Sequence, residues 1–258
     1  YLTYSPRGFS DPNYDAKQAI GDSPLGPFRK LPQYPASFMS KNETNDYATG
    51  TGHHAFVEAD GELYCVYFDH ADPFSGSTSA TDGRIYAFDR VYIVDDPTYG
   101  KILYGNGPTK SVQPKPSVAS GYKNVAQYAA VSATNADKNT LGFVNDGLFV
   151  THSYFADREF SAKGKTTITL TFDTPRVIGA VMVYNSYDYE KAFSSVDSIV
   201  FTLAEKPSWA SEAKSDSCYI ENIPFRADYY DVTGEFMRQG GAAIASFNDI
   251  TVSKISIT

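Results

Sequence analysis

The chain has 258 residues, 42% of them hydrophobic, with 22 Lys and Arg against 30 Asp and Glu for a formal charge of −8. That length and apolar content suffice for one large or two ordinary domain cores, and no stretch gathers the cations into a face that could neutralise phosphates, so no nucleic-acid partner is expected. The longest apolar runs, such as Val177-Ile178-Gly179-Ala180-Val181-Met182-Val183, fall far short of the roughly 20 residues needed to cross a bilayer, so no membrane span is expected.

Taken in chain order, Tyr1-Leu2-Thr3-Tyr4-Ser5 reads as the interior of a strand with no signal peptide before it, which predicts a sequence that begins mid-domain. Helical periodicity is almost absent, while short runs of β-branched and aromatic residues recur between Gly, Pro, Asp and Ser clusters. An all-β chain follows. Strands are expected near 1–5, 14–20, 54–58, 63–68, 85–94 and 101–104. Asp60-Gly61 joins two of them as a hairpin turn, because Gly tolerates positive φ. The pattern breaks at Asn106-Gly107-Pro108-Thr109-Lys110 and Gln113-Pro114-Lys115-Pro116-Ser117, where prolines remove ladder donors. This predicts domains at 1–108 and 125–258, joined by a linker at 109–124.

The second half offers strands near 166–172, 177–184, 198–203, 225–232 and 250–257. In Thr166-Thr167-Ile168-Thr169-Leu170-Thr171-Phe172 every second residue is apolar, so one face points inward and the other meets water, as in a β-sandwich. Twenty Tyr and 17 Phe supply most of an aromatic content of 15%, which suits sheet surfaces and also stacking on sugar rings. The two cysteines, Cys65 and Cys218, fall in different predicted domains, so Cys65 is read as a buried strand residue rather than half of a disulfide.

Three stretches of the first half come in a telling order. The first runs from Tyr1-Leu2-Thr3-Tyr4-Ser5 and Phe9 through Tyr14-Asp15 to Asp22-Ser23-Pro24-Leu25-Gly26-Pro27-Phe28, where Pro24 and Gly26 reverse the chain beside Phe28. The second is Gly50-Thr51-Gly52-His53-His54-Ala55-Phe56-Val57-Glu58, with glycines on either side of Thr51 that let backbone approach closely. The third is Leu63-Tyr64-Cys65-Val66-Tyr67-Phe68, a polar loop from His70 to Asp82, then Gly83-Arg84-Ile85-Tyr86-Ala87-Phe88-Asp89-Arg90-Val91. Together they resemble family 43 glycoside hydrolases, in the order of that family's last two propeller blades.

The resemblance implies an all-β fold in which the first half supplies the last blades of a five-bladed β-propeller. Two or three blades cannot close a ring, so exposed sheet edges are expected unless another segment or a second copy covers them. It implies an axial histidine, His53, that ligates a cation such as calcium directly or through water, with His54 as the alternative if the register differs by one. It also implies substrate contacts from Arg84, His54 and Phe9, the guanidinium being a planar fork suited to a carboxylate or sugar hydroxyls. Asp89 and Arg90 are expected as a structural pair. The family's three catalytic carboxylates lie on its earlier blades and match nothing here. Catalytic residues are therefore unknown, and a missing N-terminal propeller segment is expected as a partner. Asp11, Asp15, Glu43, Asp46 and Asp72 read as surface turns.

In the second half, Val131-Ser132-Ala133-Thr134, Phe143-Val144-Asn145-Asp146-Gly147, the pair of apolar runs from Thr166 to Tyr184 and the ending Phe247-Asn248-Asp249-Ile250-Thr251-Val252-Ser253-Lys254-Ile255-Ser256-Ile257 resemble a discoidin or coagulation-factor type β-sandwich, a jelly-roll fold shared with carbohydrate-binding modules. That implies either a structural calcium at Asp146 or a plain Asx turn there. Sugar-stacking aromatics are expected among Tyr154, Phe155, Tyr187, Tyr189 and Trp209. The combined expectation is part of a secreted, cell-surface or periplasmic glycoside hydrolase that acts on polysaccharides or oligosaccharides of the arabinan and xylan class. The alternative is a non-catalytic carbohydrate-binding protein. With four histidines, no Cys-x-x-Cys pair and no Gly-x-Ser-x-Gly elbow, zinc sites and serine-hydrolase triads lack their parts.

Overall fold

The computed structural model describes residues 1–40, 48–70, 83–109, 113–204, 217–221 and 241–258. The chain is all-β, and its described residues form three antiparallel sheets with short helical turns between the strands. It divides into two compact units, Tyr1–Tyr122 with Thr151–Ala156, and Lys123–Val150 with Asp157–Thr258. No helix among the described residues is long and apolar enough to cross a membrane.

The first unit holds two four-stranded sheets. In one, β2 (Ala16–Gly21) pairs with β1 (Leu2–Tyr4), β3 (Phe28–Lys30) and β4 (Ser37–Met39). The β2–β3 turn forms as the sequence predicts. Gly26 takes φ +79°, and the Ser23 hydroxyl donates to the Gly26 carbonyl at 2.8 Å. The second sheet is a meander of β5 (Ala55–Ala59), β6 (Glu62–His70), β7 (Arg84–Asp96) and β8 (Gly100–Gly105). Its first hairpin turns at Asp60 and Gly61, φ +53° and +76°, the positive-φ turn expected of that pair. Strands of three residues such as β3 and β4 carry too short an alternation to be read from sequence.

Alternation decides what each face of the meander does. Cys65 and Tyr67 of β6, Val91 of β7 and Leu103 of β8 pack on Ala16, Phe38 and Met39 of the other sheet. Cys65 is free and buried, and burial followed by the charge of Asp89 pushes its thiol up to about 12. The opposite face carries Tyr64, Val66, Phe68 and His70, paired with Arg90, Phe88, Tyr86 and Arg84.

The proline-rich stretch after β8 lies within the first unit. Thr109 donates both its N–H and its hydroxyl to Asp89, and Ser117, which opens a short helix (Ser117–Ser120), donates its N–H to Glu62 at 2.8 Å and its hydroxyl to Asp60 at 2.9 Å. The prolines that signal a linker do stop the ladder, but side-chain carboxylates then replace it as acceptors.

In the second unit the strand order is β12 (Ser217–Glu221), β11 (Ser198–Leu203), β13 (Ala242–Ile257), β10 (Ile168–Tyr184) and β9 (Ala129–Ala133). The two strands expected at 166–172 and 177–184 are one. The β10–β13 register shifts between Thr171 and Arg176, around Pro175, which has no N–H to offer, and the strand then resumes on the same partner. Leu170, Phe172, Ile178, Ile199, Phe201, Val252 and Ile255 form the core of this sheet. The strand expected at 225–232 lies outside the described residues.

Candidate functional site

The segment from Thr49 to His54 is threaded through contacts that only glycine allows at two points. A Cβ on Gly50, at φ +69°, would stand 2.4 Å from His70 Nε2, and one on Gly52 would stand 2.3 Å from the Tyr14 ring. Close approach is thus what these glycines provide, as expected, and His70 and Tyr14 are what they approach. His53 follows with φ +54°, a left-handed conformation costly for a side chain with a Cβ, and its N–H donates to Ser5 Oγ at 3.0 Å.

His53 and His54 face different surroundings. The exposed His53 sets its ring edge-on to Phe68, centroids 5.4 Å apart. His54 is half-buried, edge-on to Phe38 at 5.5 Å and Phe56 at 5.7 Å, with Nδ1 3.3 Å from Ser5 Oγ. Burial, followed by the neighbouring His53, holds the His54 imidazole below its ordinary pKa.

Arg84, the first residue of β7, sits opposite His70. Its guanidinium lies over Phe68, 4.5 Å from the centroid, and over Phe9 at 5.1 Å. Such exposed cation–π contacts contribute about 0.5–1 kcal/mol each, enough to orient the fork without removing it from water. Tyr86 continues the platform, its ring tilted at 4.5 Å from Phe68 and 77% exposed. His70, only 1% exposed, anchors the loop bearing Phe9. Because a carbonyl can only accept, His70 Nε2 donates to the Phe9 carbonyl at 3.3 Å, and Nδ1 accepts the Thr49 hydroxyl at 3.1 Å.

The structure therefore brings Phe9, His53 and Arg84 together through Phe68, and Ser5 Oγ stands beside both the His53 N–H and His54 Nδ1. Sequence reasoning passed over Phe68, His70 and Ser5. Phe68 and His70 fall inside or at the end of a strand pattern that core packing explains equally well. Ser5 offers no pattern.

Several acidic readings change. Asp89 and Arg90 do not pair, because strand neighbours face opposite sides. Arg90 pairs with Glu62, and Asp89 turns inward to accept the Tyr67 hydroxyl at 2.6 Å and the Thr109 donors. Burial raises the Asp89 carboxyl to about 7 despite those donors. Asp15 is no surface turn. It is 2% exposed, and its carboxylate accepts the Ser37 hydroxyl at 2.5 Å. Asp11 does cap a turn, accepting the Asn13 N–H at 2.8 Å. Glu43, Asp46 and Asp72 lie outside the described residues.

No three His, Cys, Asp or Glu side chains among the described residues converge as a metal site would require. His53 has an aromatic contact with Phe68. Asp146 closes its own Asx turn by accepting the Leu148 N–H at 2.9 Å, with burial raising its carboxyl to about 6. His53 and Asp146 would not by themselves supply the six or more oxygens that calcium takes, and backbone carbonyls and water would have to provide the rest.

Of the aromatics expected to stack on sugar in the second half, Tyr187 is 6% exposed and presents no open ring face. Tyr154 belongs to the first unit, where its hydroxyl reaches Asp96 at 3.4 Å. Trp209 lies outside the described residues.

No protein-family model matches the chain, and a search of curated proteins finds no match. Two of the similar solved structures are family 43 glycoside hydrolases. A thermostable family 43 glycoside hydrolase is 34% identical over 44% of this chain and 33% of its own, with a TM-score of 0.37. The GH43 protein BlXynB of Bacillus licheniformis is 14% identical over 99% of this chain and 61% of its own, with a TM-score of 0.32. A xylan β-1,4-xylosidase from Bacillus halodurans is 12% identical over 96% of this chain and 60% of its own, with a TM-score of 0.30. The chain thus spans from a third to about three fifths of the length of these proteins.

Proposed function

We propose that this chain is part of a family 43-type glycoside hydrolase that cleaves O-glycosidic bonds in plant-type polysaccharides of the arabinan and xylan class, its first unit contributing Arg84, Phe9 and His54 to the sugar pocket. The observation that carries the reading is the Arg84 guanidinium held over the Phe9 and Phe68 rings, with the His53 edge on Phe68. An oriented cationic fork beside exposed ring faces suits a polyhydroxylated ring, since hydroxyl oxygens accept from the fork and C–H faces stack on aromatics. A secreted or cell-surface location belongs to the same proposal, because such polymers lie outside cells.

No acid or base is assigned. Inverting hydrolysis needs two carboxyl groups about 6.5–9.5 Å apart with water between them. Asp11, Asp15, Glu62 and Asp89 are each engaged in holding a turn, a strand or the segment after β8. The catalytic carboxylates are supplied, in this reading, by polypeptide other than this chain. The purified chain is expected to bind arabino- or xylo-oligosaccharides in calorimetric titration without hydrolysing nitrophenyl arabinoside or xyloside. Arg84→Ala should weaken that binding at least about tenfold, the loss of one charge-assisted contact. Undiminished binding by Arg84→Ala would remove the site, and turnover by the chain alone would refute the assignment of the acids elsewhere.

A further inference from the structure

The Ser5 hydroxyl stands between two consecutive histidines and has a single proton to place. His53 N–H is a donor and nothing else, so at 3.0 Å Ser5 Oγ accepts from it. The same oxygen lies 3.3 Å from His54 Nδ1. With one lone pair occupied by the His53 N–H, the Ser5 O–H is available to His54 Nδ1, and a neutral imidazole that accepts at Nδ1 carries its hydrogen on Nε2.

We propose that Ser5 is a positioning residue that fixes neutral His54 as the Nε2–H tautomer, so that this imidazole offers the pocket a hydrogen-bond donor at Nε2 rather than a lone pair. Three features support it besides the two distances. The ring of His54 is braced edge-on by Phe38 and Phe56, which restricts its rotation and keeps Nδ1 toward Ser5. The backbone at His53 holds a left-handed conformation, and the hydrogen bond from its N–H to Ser5 helps to keep that turn in place. Ser5 follows β1 directly, so the hydroxyl is carried by a strand end rather than by a free loop.

His70 shows the same proton placement by a different route. Its Nε2 faces the Phe9 carbonyl and its Nδ1 faces the Thr49 hydroxyl, so it too is Nε2–H, but without Ser5. A donor at His54 Nε2 selects an acceptor, such as a sugar hydroxyl oxygen or a carboxylate. That choice of ligand rests on the sugar-pocket reading above. The tautomer itself does not.

The test is two-bond 1H–15N correlation spectroscopy of the full 15N-labelled chain at about pH 8, above the ordinary imidazole range. The His54 signals are assigned by their disappearance in His54→Gln. The expected result is a single Nε2–H pattern for His54, replaced by a mixture of tautomers in Ser5→Ala and restored in Ser5→Thr, with His70 unchanged throughout as the control for folding. A His54 Nδ1–H pattern in the wild type, or an unaltered Nε2–H pattern in Ser5→Ala with His70 intact, would overturn the proposal. If the tautomer behaves as expected while oligosaccharides fail to bind, the sugar-pocket reading falls and the role of Ser5 stands.

Discussion

The two units hide different chemistry. Among the described residues the interior of the first unit is studded with polar groups, including Asp15, Gln18, Thr49, Asp69, His70, Asp89 and Asn106, whereas Asn185 is the one buried polar residue of the second. The first unit orients its residues with directional bonds. Gln18, for example, donates to the Pro35 and Leu103 carbonyls and accepts the Leu103 N–H. The sheet of the second unit rests on apolar area around Ile199, Phe201 and Val252, each 0% exposed. Apolar burial is non-directional and tolerates rearrangement, while a buried hydrogen-bond network specifies one arrangement and penalises any unpaired group. Rings and cations gather in the unit whose interior is so specified.

The sharpest way to break this contrast is at Phe201. Replacing it with Ala should cost the second unit about 3–5 kcal/mol, the usual price of deleting a core aromatic. Urea denaturation followed by hydrogen exchange in β11 and β13 measures it, and a loss below about 1 kcal/mol would show that apolar packing is not what holds this sheet. Next comes Asp89→Ala, which leaves the Tyr67 hydroxyl and both Thr109 donors without their acceptor. A loss of about 2–3 kcal/mol is expected in the first unit, with faster amide exchange at Thr109.

The pH dependence of Asp89 sharpens the comparison further. Its folded-state carboxyl sits at about 7, raised first of all by burial, whereas an unfolded Asp titrates near ~4. The folded state therefore binds the proton more tightly. The stabilisation from this group is full below about pH 4 and is lost as the pH rises through about 7. Denaturation midpoints from about pH 4 to 8 should fall more steeply in the wild type than in Asp89→Asn, and identical slopes would show that Asp89 does not titrate there. The smallest effect is on stability at Arg84, where Ala should cost no more than about 1 kcal/mol, since exposed cation–π contacts are weak. A larger loss would make Arg84 part of the framework rather than of a binding surface.

Much of the first unit was readable because its signals are local. Asp60-Gly61 turns where φ must be positive, and Gly50 and Gly52 mark close approach before any partner is known. The site was legible only in part. Phe9 and Arg84 carried a family-like pattern, but Phe68, which joins them, reads like any strand aromatic, and Ser5 gains meaning only beside His53 and His54. Tyr187 read as a loop aromatic open to sugar and is buried instead.

From the order of its residues alone, this chain determined most of its longer strands, its sharp turns and the alternation of inward and outward side chains, because these depend on neighbours a few positions apart. Tertiary structure decided which outward face becomes an interior, placing Asp89 and Asp15 inside and bringing residues 9, 53, 68 and 84 to one place. The physical reason is that a strand's period of two defines two faces without saying which of them another sheet will cover.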